Sequence, residues 1–244
     1  MANLKYKRLL IKLSGEALMG EQDFGIDPAM VLKVAGDLKQ LREAGVELGI
    51  VVGGGNIFRG AGLAKAGVDR VTADHMGMLA TVMNALALKD SLLQLGLEAS
   101  VMSGLSMPQV CDAYTQRDAR KKVGNGEVVI FSAGTGSPYF TTDTGASLRA
   151  VEIQADLMIK ATKVDGIYDK DPVKHAEAIK YEHLYYDHAI DQRLAVMDVA
   201  AMILCNDNAL DMVVCDINES DALLNLAKGL SVGTRVTRKE AKND

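Results

Sequence analysis

The chain of 244 residues has little of several residue types that mark particular protein classes, with no tryptophan, four prolines and three cysteines. The cysteines (Cys111, Cys205 and Cys215) are far apart and form no C-x-x-C pair, which argues against a disulfide scaffold or a cysteine-based zinc site. No apolar run reaches the ~20 residues that span a bilayer, and Lys12 interrupts the short apolar run near the N-terminus. We therefore expect a cytoplasmic protein with reduced thiols, no signal peptide and no membrane partner.

Positive charge is not in excess, since 27 lysines and arginines face 32 aspartates and glutamates, for a net charge of −5. Such a chain is a poor candidate for binding nucleic acid, although a local cationic pocket remains possible. The spacing from Gly15 to Gly20 resembles a Walker A loop, but Glu21 stands where that loop requires lysine, and no G-x-G-x-x-G occurs. The sequence therefore argues against a P-loop kinase and against a nicotinamide enzyme. The four histidines show no ligand spacing, so no metal site built from protein groups is predicted.

What the chain does contain is an alternation of short apolar runs with helical patterns. The apolar runs lack the period-two alternation of half-exposed strands and are typical of strands covered on both faces. They span residues 8–13, 47–52, 98–103, 127–132, 156–160 and 211–216. This alternation predicts a largely parallel α/β sheet with right-handed crossovers. Because no repeat, low-complexity tract or Pro/Ser-rich linker occurs, we expect one domain over residues 1–244.

Capping signals predict where the helices begin. Asp27 precedes Pro28 and predicts a helix with Val31, Val34, Leu38 and Leu41 on its buried face. Thr72 is predicted to cap a long helix with Leu79, Val82, Met83, Leu86 and Leu93 inside. Thr141 or Thr142 caps another, with Leu148 and Val151 inward, while residues 198–210 form a fourth helix and Ser220 begins a short one. The remaining irregular segments are expected at residues 20–25 and 165–186.

Glycine clusters follow three of the predicted strands. Ser14-Gly15 follows the first strand, Gly53-Gly54-Gly55 follows the second, and residues 133–136 (Ala-Gly-Thr-Gly) follow the fourth. In open α/β sheets, ligands bind outside the carboxyl ends of the strands. Glycine lets backbone N–H groups approach an anion closely there, and helix N-termini add positive potential. The pattern favours a phosphate-rich ligand, or two ligands, at this edge of the sheet.

Charged residues beside these glycines have more than one interpretation each. Lys12, at the end of a buried strand, is either a surface lysine or an ammonium that neutralises a transferring phosphoryl group, which we favour. Arg59 is either a solvated loop residue or a phosphate ligand. Asp74 either complements the helix dipole or accepts hydrogen bonds from a sugar diol. Asp143 either caps its helix, orients a lysine or helps to coordinate Mg²⁺, and we favour the orienting role. Tyr168 either packs its loop or contacts a base.

Taken in order along the chain, these motifs are specific enough to identify a family. They are residues 12–18 (KLSGEAL), 53–60 (GGGNIFRG), 74–78 (DHMGM), 133–143 (AGTGSPYFTTD), 161–166 (ATKVDG) and 197–198 (MD). From about residue 8 to residue 235 the chain resembles the bacterial uridylate kinases (UMP kinases) of the amino-acid kinase family. The resemblance implies a three-layer αβα sandwich, phosphoryl transfer from ATP to UMP with Mg²⁺, a role in pyrimidine nucleotide synthesis, and a cytoplasmic homohexamer.

The resemblance also implies roles for individual residues. The ATP side would comprise Lys12, Leu13, Ser14, Gly15, Gly55, Arg59, Thr162, Tyr168 and Asp171. The UMP side would comprise Gly54, Asp74, Thr135, Gly136, Ser137, Pro138, Tyr139, Phe140, Thr141 and Thr142. Asp143 would organise the catalytic lysines, and Mg²⁺ would be held through the ATP phosphates.

Two features depart from the family pattern. Relatives that phosphorylate amino acids carry a second lysine on a late helix, where this chain has Met197-Asp198-Val199. The second charge would then come from Lys160 or Lys163, a choice that the sequence leaves open. The segment resembling the family's GTP-activation region comprises Gly20, Glu21, Gln22, Asp23, Phe24 and Gly25. Activation by GTP and inhibition by UTP are expected, although Gly124 and Glu127 stand where some members have arginine.

Two other functions remain to be distinguished from a nucleoside monophosphate kinase. An acetylglutamate- or aspartate-type kinase would keep the ATP side and bind an amino-acid carboxylate instead of UMP. A storage or regulatory protein would bind nucleotide without turnover. The UMP-loop resemblance over residues 135–142 argues against the first, and the presence of both Lys12 and Asp143 argues against the second.

Overall fold

The computed structural model describes residues 3–58, 67–175, 177–194 and 196–239. In these ranges the chain forms a nine-stranded sheet and a separate two-stranded hairpin, whose strands are β7 and β8. The strands are β1 (Arg8–Leu13), β2 (Glu47–Val52), β3 (Ala99–Ser103), β4 (Asp112–Ala113), β5 (Val128–Ser132), β6 (Leu157–Thr162), β7 (Ile167–Tyr168), β8 (Lys180–Tyr181), β9 (His183–Tyr185), β10 (Met212–Asp216) and β11 (Thr234–Thr237).

The helices connect these strands and cover both faces of the large sheet. They are α1 (Pro28–Glu43), α2 (Arg70–Gln94), α3 (Gln116–Gly124), α4 (Thr142–Glu152), α5 (Tyr186–Asp191), α6 (Val199–Asp207) and α7 (Ala222–Ala227), and a single 3-10 turn spans Gly15–Leu18. One buried layer joins the sheet to α1, α2 and α7, and the other joins it to α3, α4, α5 and α6. The expected three-layer αβα sandwich is confirmed.

The large sheet has the strand order β4-β3-β5-β2-β1-β6-β10-β11-β9. Every neighbouring pair in it is parallel except β10 with β11. The six predicted strands are its central members, and four of them differ from the prediction at one end or both. The sequence prediction missed β4, β7, β8, β9 and β11, which have two to four residues each and lie at the edges or in the hairpin.

Side-chain alternation on β1 decides which residues reach each face of the sheet. Leu9, Ile11 and Leu13 pack in the layer with α1 and α2, whereas Leu10 packs in the layer with α4. Lys12 has the same parity as Leu10, so it belongs to the face that α4 covers. This places an ammonium group beside the N-terminal end of α4.

The helix predictions are partly confirmed. Asp27 caps α1 by accepting a hydrogen bond from the Ala29 amide at 2.8 Å, with Pro28 at the first helical position. The prediction that Thr72 caps the long helix is wrong, because the Asp69 carboxylate accepts from the Thr72 amide and α2 therefore begins at Arg70. The cap of α4 is Thr141, one of the two predicted residues.

The predicted inward faces of α2 and α4 need correction. Leu79, Met83 and Leu93 are 48–52% exposed, whereas Leu88 and Leu92 are fully buried. Val82 is buried as predicted, and the small residues Ala80 and Ala85 are buried beside it, so alanines take up part of the face that the prediction gave to larger apolar residues. On α4, Leu148 and Val151 are half-buried, and Ala146, Ala150 and the adjoining Ile153 are fully buried instead.

The last two helices both begin later than predicted, and the first of them also ends earlier. Asp198 caps α6, which ends at Asp207 before a turn into β10. The short helix near Ser220 begins two residues later, after Asp221 in a left-handed conformation (φ 57°). No helix in the described ranges is long and apolar enough to cross a membrane.

Candidate active site

The three glycine clusters meet at one edge of the sheet. They follow β1, β2 and β5, which are consecutive neighbours, and β6 lies on the other side of β1. The contacts require glycine. A Cβ at Gly15 would lie 2.6 Å from the Gly53 carbonyl oxygen, and one at Gly54 would lie 2.9 Å from that of Gly77. The backbone of the first cluster therefore rests directly on the second, which leaves little room for side chains between them.

A buried pair of side-chain amides supports the backbone of these two glycine clusters, which we call the glycine floor. The sequence prediction missed this pair. Asn56 and Asn84 are 1% and 0% exposed and exchange hydrogen bonds through their side chains at 2.7 and 3.0 Å. Asn84 Nδ2 also donates to the Gly53 carbonyl at 2.7 Å, and Asn56 Nδ2 donates to that of Gly25 at 2.8 Å. Because the Gly25 amide in turn donates to the Asn56 carbonyl, residues 20–25 are tied to the glycine floor. No local pattern signals this pair, since its members are 28 residues apart.

At the centre of the edge, one carboxylate lies between two lysines. Lys12 and Lys160 are directly paired in the register of β1 and β6. Asp143 Oδ1 lies 2.9 Å from Lys12 Nζ, and its Oδ2 accepts from Lys160 Nζ at 2.8 Å. The three side chains are only 11–16% exposed. Lys160 Nζ also donates to the Val196 carbonyl oxygen. We refer to Lys12, Asp143 and Lys160 as the lysine–aspartate cluster.

The cap of α4 holds Asp143 at this position. Thr141 Oγ1 accepts from the Asp143 amide at 3.0 Å and from the Thr144 amide at 3.3 Å, which caps the helix. The Thr141 hydroxyl donates to Asp198, and so does the Thr144 hydroxyl at 2.8 Å. Asp198 thereby joins the beginnings of α4 and α6. The sequence showed only that residues 197–199 lack the lysine found in relatives that phosphorylate amino acids. The hydrogen bonds of Asp198 to two hydroxyl groups were not predicted.

The cluster shifts the protonation equilibria of its members. Burial alone would raise the pKa of Asp143, but Lys12 and Lys160 together outweigh burial and lower it below its usual value. Burial lowers the pKa of Lys160 and the neighbouring Lys12 adds to this effect, against the opposing attraction of Asp143. A low carboxyl pKa keeps Asp143 charged, so it serves as an acceptor for ammonium groups and is unsuited to removing a proton.

The structure distinguishes between the two candidates for the second lysine. Lys160 is on β6 with the parity that faces α4, and it contacts Asp143. Lys163 comes after the end of β6 and is exposed to solvent. The structure therefore brings Lys160 into the cluster and leaves Lys163 outside it.

A pocket lies beside the cluster, between α2 and the loop of residues 135–142, which we call the acceptor loop. Its lining includes Gly54, Gly55 and Asp74, together with Thr135, Phe140, Thr141 and Thr142 from the acceptor loop. Asp74 lies in the second turn of α2, since the helix begins earlier than predicted. Gly136, Ser137, Pro138 and Tyr139 form the turn of the loop, and the Tyr139 side chain is 66% exposed. The pocket has a volume of about 160 Å³.

A larger cleft, of about 590 Å³, has Lys160 in its lining. Its lining includes the predicted residues Thr162, Tyr168 and Asp171. It also includes Gln192 and Arg193, which the sequence prediction missed because they come from a distant turn after α5. Tyr168 donates its hydroxyl to Asp165 at 2.8 Å and lies on the short hairpin.

The remaining predicted site residues are not in the lining described for either opening. Ser14 is half-buried at the end of β1, whereas the Leu13 side chain is fully buried in the core, so that its peptide group alone reaches the edge. Arg59 lies outside the described residues. In the predicted effector segment, Gly20 has a left-handed conformation (φ 62°) against Asp27, and Phe24 is 66% exposed.

Comparisons with known proteins identify similar sequences. The model of the amino acid kinase family matches residues 7–216. Uridylate kinase of Xanthomonas campestris pv. campestris is 52% identical over 97% of this chain and 98% of its own length. Uridylate kinase of Stutzerimonas stutzeri is 55% identical over 96% of this chain and 95% of its own length.

Solved structures agree with the sequence comparisons. UMP kinase from Bacillus anthracis superimposes with a TM-score of 0.93 at 35% identity, covering 96% of this chain and 97% of that chain. UMP kinase from Ureaplasma parvum superimposes with a TM-score of 0.89 at 33% identity, covering 96% and 100%. The likeness therefore extends over nearly the whole chain in both sequence and fold.

Proposed function

Because the chain belongs to the amino acid kinase family and is one of its uridylate kinases, we propose that it transfers the γ-phosphoryl group of ATP to UMP, forming ADP and UDP. The observation that carries the proposal is that the lysine–aspartate cluster adjoins two separate openings. Lys160 lines the larger cleft, and Thr141, the cap of α4 that orients Asp143, lines the smaller pocket, which we call the acceptor pocket. A group passing from one opening to the other would pass the two ammonium groups.

The reaction needs charge neutralisation more than proton transfer. A phosphate oxygen of UMP, already anionic, attacks the γ-phosphorus, the bond to the bridging oxygen breaks, and ADP leaves with that electron pair. Two phosphate groups repel each other as they approach, and a protein accelerates such a transfer by holding them in line and by neutralising charge. In our proposal Lys12 and Lys160 supply that charge, and Asp143 orients both ammonium groups. No side-chain base is required.

The two openings suit different nucleotides. We assign the larger cleft to ATP, with Thr162, Tyr168 and Asp171 on the nucleoside and with Lys12, Ser14 and Gly15 near the phosphates. Gly55 lines the smaller pocket, and in this assignment it lies where the phosphates of the two nucleotides meet. We assign the smaller pocket to UMP, with Gly54 below it, Asp74 accepting from the ribose hydroxyls, and the acceptor loop closing over it. The volumes support this assignment, since the triphosphate nucleotide requires the larger space.

A divalent cation, expected to be Mg²⁺, fits this arrangement as a partner of the ATP phosphates. Within the described residues, no group of three or more histidine, cysteine, aspartate or glutamate side chains is placed to hold a metal ion. Both oxygens of Asp143 already face ammonium groups. When bound, the cation would neutralise phosphate charge alongside Lys12 and Lys160.

We further propose that the chain acts as one domain in a cytoplasmic homohexamer that supplies pyrimidine nucleotides, with GTP as activator and UTP as inhibitor. The exposed apolar residues of α2, Met76, Leu79 and Met83, support association because they form a stripe at helical spacing. The hydrogen bonds between Gly25 and Asn56 support an effector role for residues 20–25, since they connect that segment to the floor of the site.

The function is tested by a coupled assay of ADP release with ATP, Mg²⁺ and one acceptor at a time. We expect rapid turnover with UMP, weaker turnover with CMP or dTMP, and none with acetylglutamate. Turnover with acetylglutamate and not with UMP would reassign the chain to the amino-acid-phosphorylating branch. ATP binding without ADP release in the presence of UMP would indicate a protein that binds nucleotide without catalysis.

A further inference from the structure

Arg70, the first residue of α2, makes contacts that the proposed mechanism does not use. Its Nε lies 2.9 and 2.8 Å from the two carboxylate oxygens of Asp74, one helical turn away. The Arg70 side chain is 52% exposed and that of Asp74 is 19% exposed, so the pair lies at the protein surface and the carboxylate is the less accessible partner. Through these two contacts from Nε, Arg70 restrains the carboxylate at the rim of the smaller pocket.

The same two residues hold the acceptor loop. The Tyr139 amide donates to Asp74 Oδ2 at 2.7 Å, and the guanidinium carbon of Arg70 lies 5.4 Å from the centre of the Tyr139 ring. Tyr139 has a left-handed backbone (φ 74°), which is unfavourable for a residue with a side chain, and its ring is 66% exposed. A strained residue with an exposed aromatic ring needs compensating contacts, and both of those described here come from α2.

We propose that Arg70 is a positioning residue for the acceptor nucleotide: it orients Asp74 and holds the acceptor loop closed through Tyr139 before any nucleotide binds. This inference rests on the proposed function, in which Asp74 accepts from the ribose of UMP. The small volume of the pocket, about 160 Å³ against about 590 Å³ for the neighbouring cleft, agrees with a loop that is already closed.

The arrangement leaves Asp74 able to bind a ligand. Oδ2 accepts from both Arg70 and the Tyr139 amide, whereas in the described part of the chain Oδ1 accepts from Arg70 alone. A carboxylate oxygen can accept two hydrogen bonds, so Oδ1 retains capacity for a sugar hydroxyl. The positive charge of Arg70 also offsets the negative charge of Asp74, which would otherwise repel the incoming phosphate.

A kinetic comparison tests the positioning role. We expect Arg70→Gln to raise KM for UMP by roughly tenfold, because Asp74 and the loop both lose their partner, while kcat and KM for ATP stay within about twofold. Arg70→Lys restores the charge without the planar contact and should give an intermediate KM. The control is Lys39→Gln, which breaks another ion pair of i,i+4 spacing, with Glu43 on α1, and also removes the hydrogen bond from Lys39 Nζ to the Leu95 carbonyl. It should leave all three constants unchanged.

Loop closure is measured separately, without turnover. The chain contains no tryptophan, so Tyr139→Trp introduces a single fluorescent reporter on the loop. Acrylamide is the suitable quencher because it is neutral and therefore insensitive to the charge of Arg70. With no nucleotide present, adding Arg70→Gln to this variant should raise the quenching constant by roughly twofold, since the indole loses its cationic partner and the loop opens. The Tyr139→Trp chain serves as the baseline of this measurement.

The outcomes separate the inference from the proposed function. An unchanged KM for UMP in Arg70→Gln overturns the positioning role, even where quenching changes. An unchanged quenching constant overturns the claim that Arg70 holds the loop closed. Equal losses in kcat and both KM values, with lower thermal stability, indicate a purely structural residue and also overturn it. If UMP is not phosphorylated at all, the proposed function fails, and the quenching result still decides whether Arg70 holds the loop.

Discussion

The carboxylates of two aspartates at the site, Asp143 and Asp74, are held in place by different kinds of groups. Asp143 lies between Lys12 and Lys160, whose positions follow from the register of two neighbouring strands in the middle of the sheet. Asp74 lies at the rim, where it contacts the exposed Arg70 and a loop amide. The partners of the first carboxylate are side chains of two central strands, whereas those of the second are an exposed side chain and a loop amide.

Because their surroundings differ, the two aspartates are expected to affect different properties of the protein. Charges buried together interact strongly, and removing one partner leaves the others without compensation. Exposed ion pairs contribute little to stability, because water and salt screen them. We therefore expect changes in the lysine–aspartate cluster to affect rate and stability together, and changes around Asp74 to affect the binding of the acceptor with little effect on folding.

The largest effect is expected from Asp143→Asn, which leaves two buried ammonium groups without a counter-charge. Stability at neutral pH should fall by about 3–5 kcal/mol, as for other buried pairs that lose one partner. Because the pKa of Asp143 is lowered in the folded chain, its contribution is present above the unfolded value of ~3.9 and is lost as pH falls through the folded value. Urea unfolding of both proteins from neutral to acid pH should show the difference shrinking in acid. A difference that stays constant across that range would contradict the pairing.

The next largest effect, on kcat, distinguishes the two lysines of the cluster from Lys163. Lys12→Ala and Lys160→Ala should each lower kcat by roughly 10²–10³-fold, by analogy with removing a donor that stabilises a transition state. Lys163→Ala, whose side chain is exposed, should have an effect at least about tenfold smaller. Steady-state kinetics at saturating ATP and UMP measures all three. Lys163→Ala as damaging as Lys160→Ala would show that the second charge comes from outside the cluster.

The smallest effect is expected at the rim. Asp74→Asn keeps the size of the side chain but weakens its acceptance of hydroxyl donors, so KM for UMP should rise by roughly tenfold, and more than KM for ATP. Stability should change by less than about 1 kcal/mol, because the ion pair to Arg70 is exposed. Titrating each substrate at saturating levels of the other measures the split. A selective defect in ATP binding would reverse our assignment of the two openings.

The edge of the sheet where the site lies could be predicted from the sequence. Strands buried on both faces are continuous apolar runs, and a parallel sheet brings their carboxyl ends to one edge. The sequence alone therefore predicts that the glycine clusters at 15, 53–55 and 134–136 lie close together. The cap at Asp27 was equally accessible, because Asp-Pro is a local signal.

The short strands at the sheet edges and in the hairpin could not be predicted in this way. A strand of two to four residues, such as β4 or β9, has too few residues to show a period. The face of α2 was misjudged for a related reason. Part of its buried face is made by alanines, which carry little hydrophobic signal, while Leu79 and Met83 are about half exposed.

The sequence by itself determined where the central strands and the main helices lie along the chain, that glycines follow three of the strands, and the family to which the chain belongs. All of these depend on neighbours along the chain. Tertiary structure alone decided that Lys160 and not Lys163 meets Asp143, that Asn56 pairs with Asn84, and that Arg70 reaches Tyr139. Each of these contacts depends on strand register, or on how two distant segments pack, and neither has a local signature.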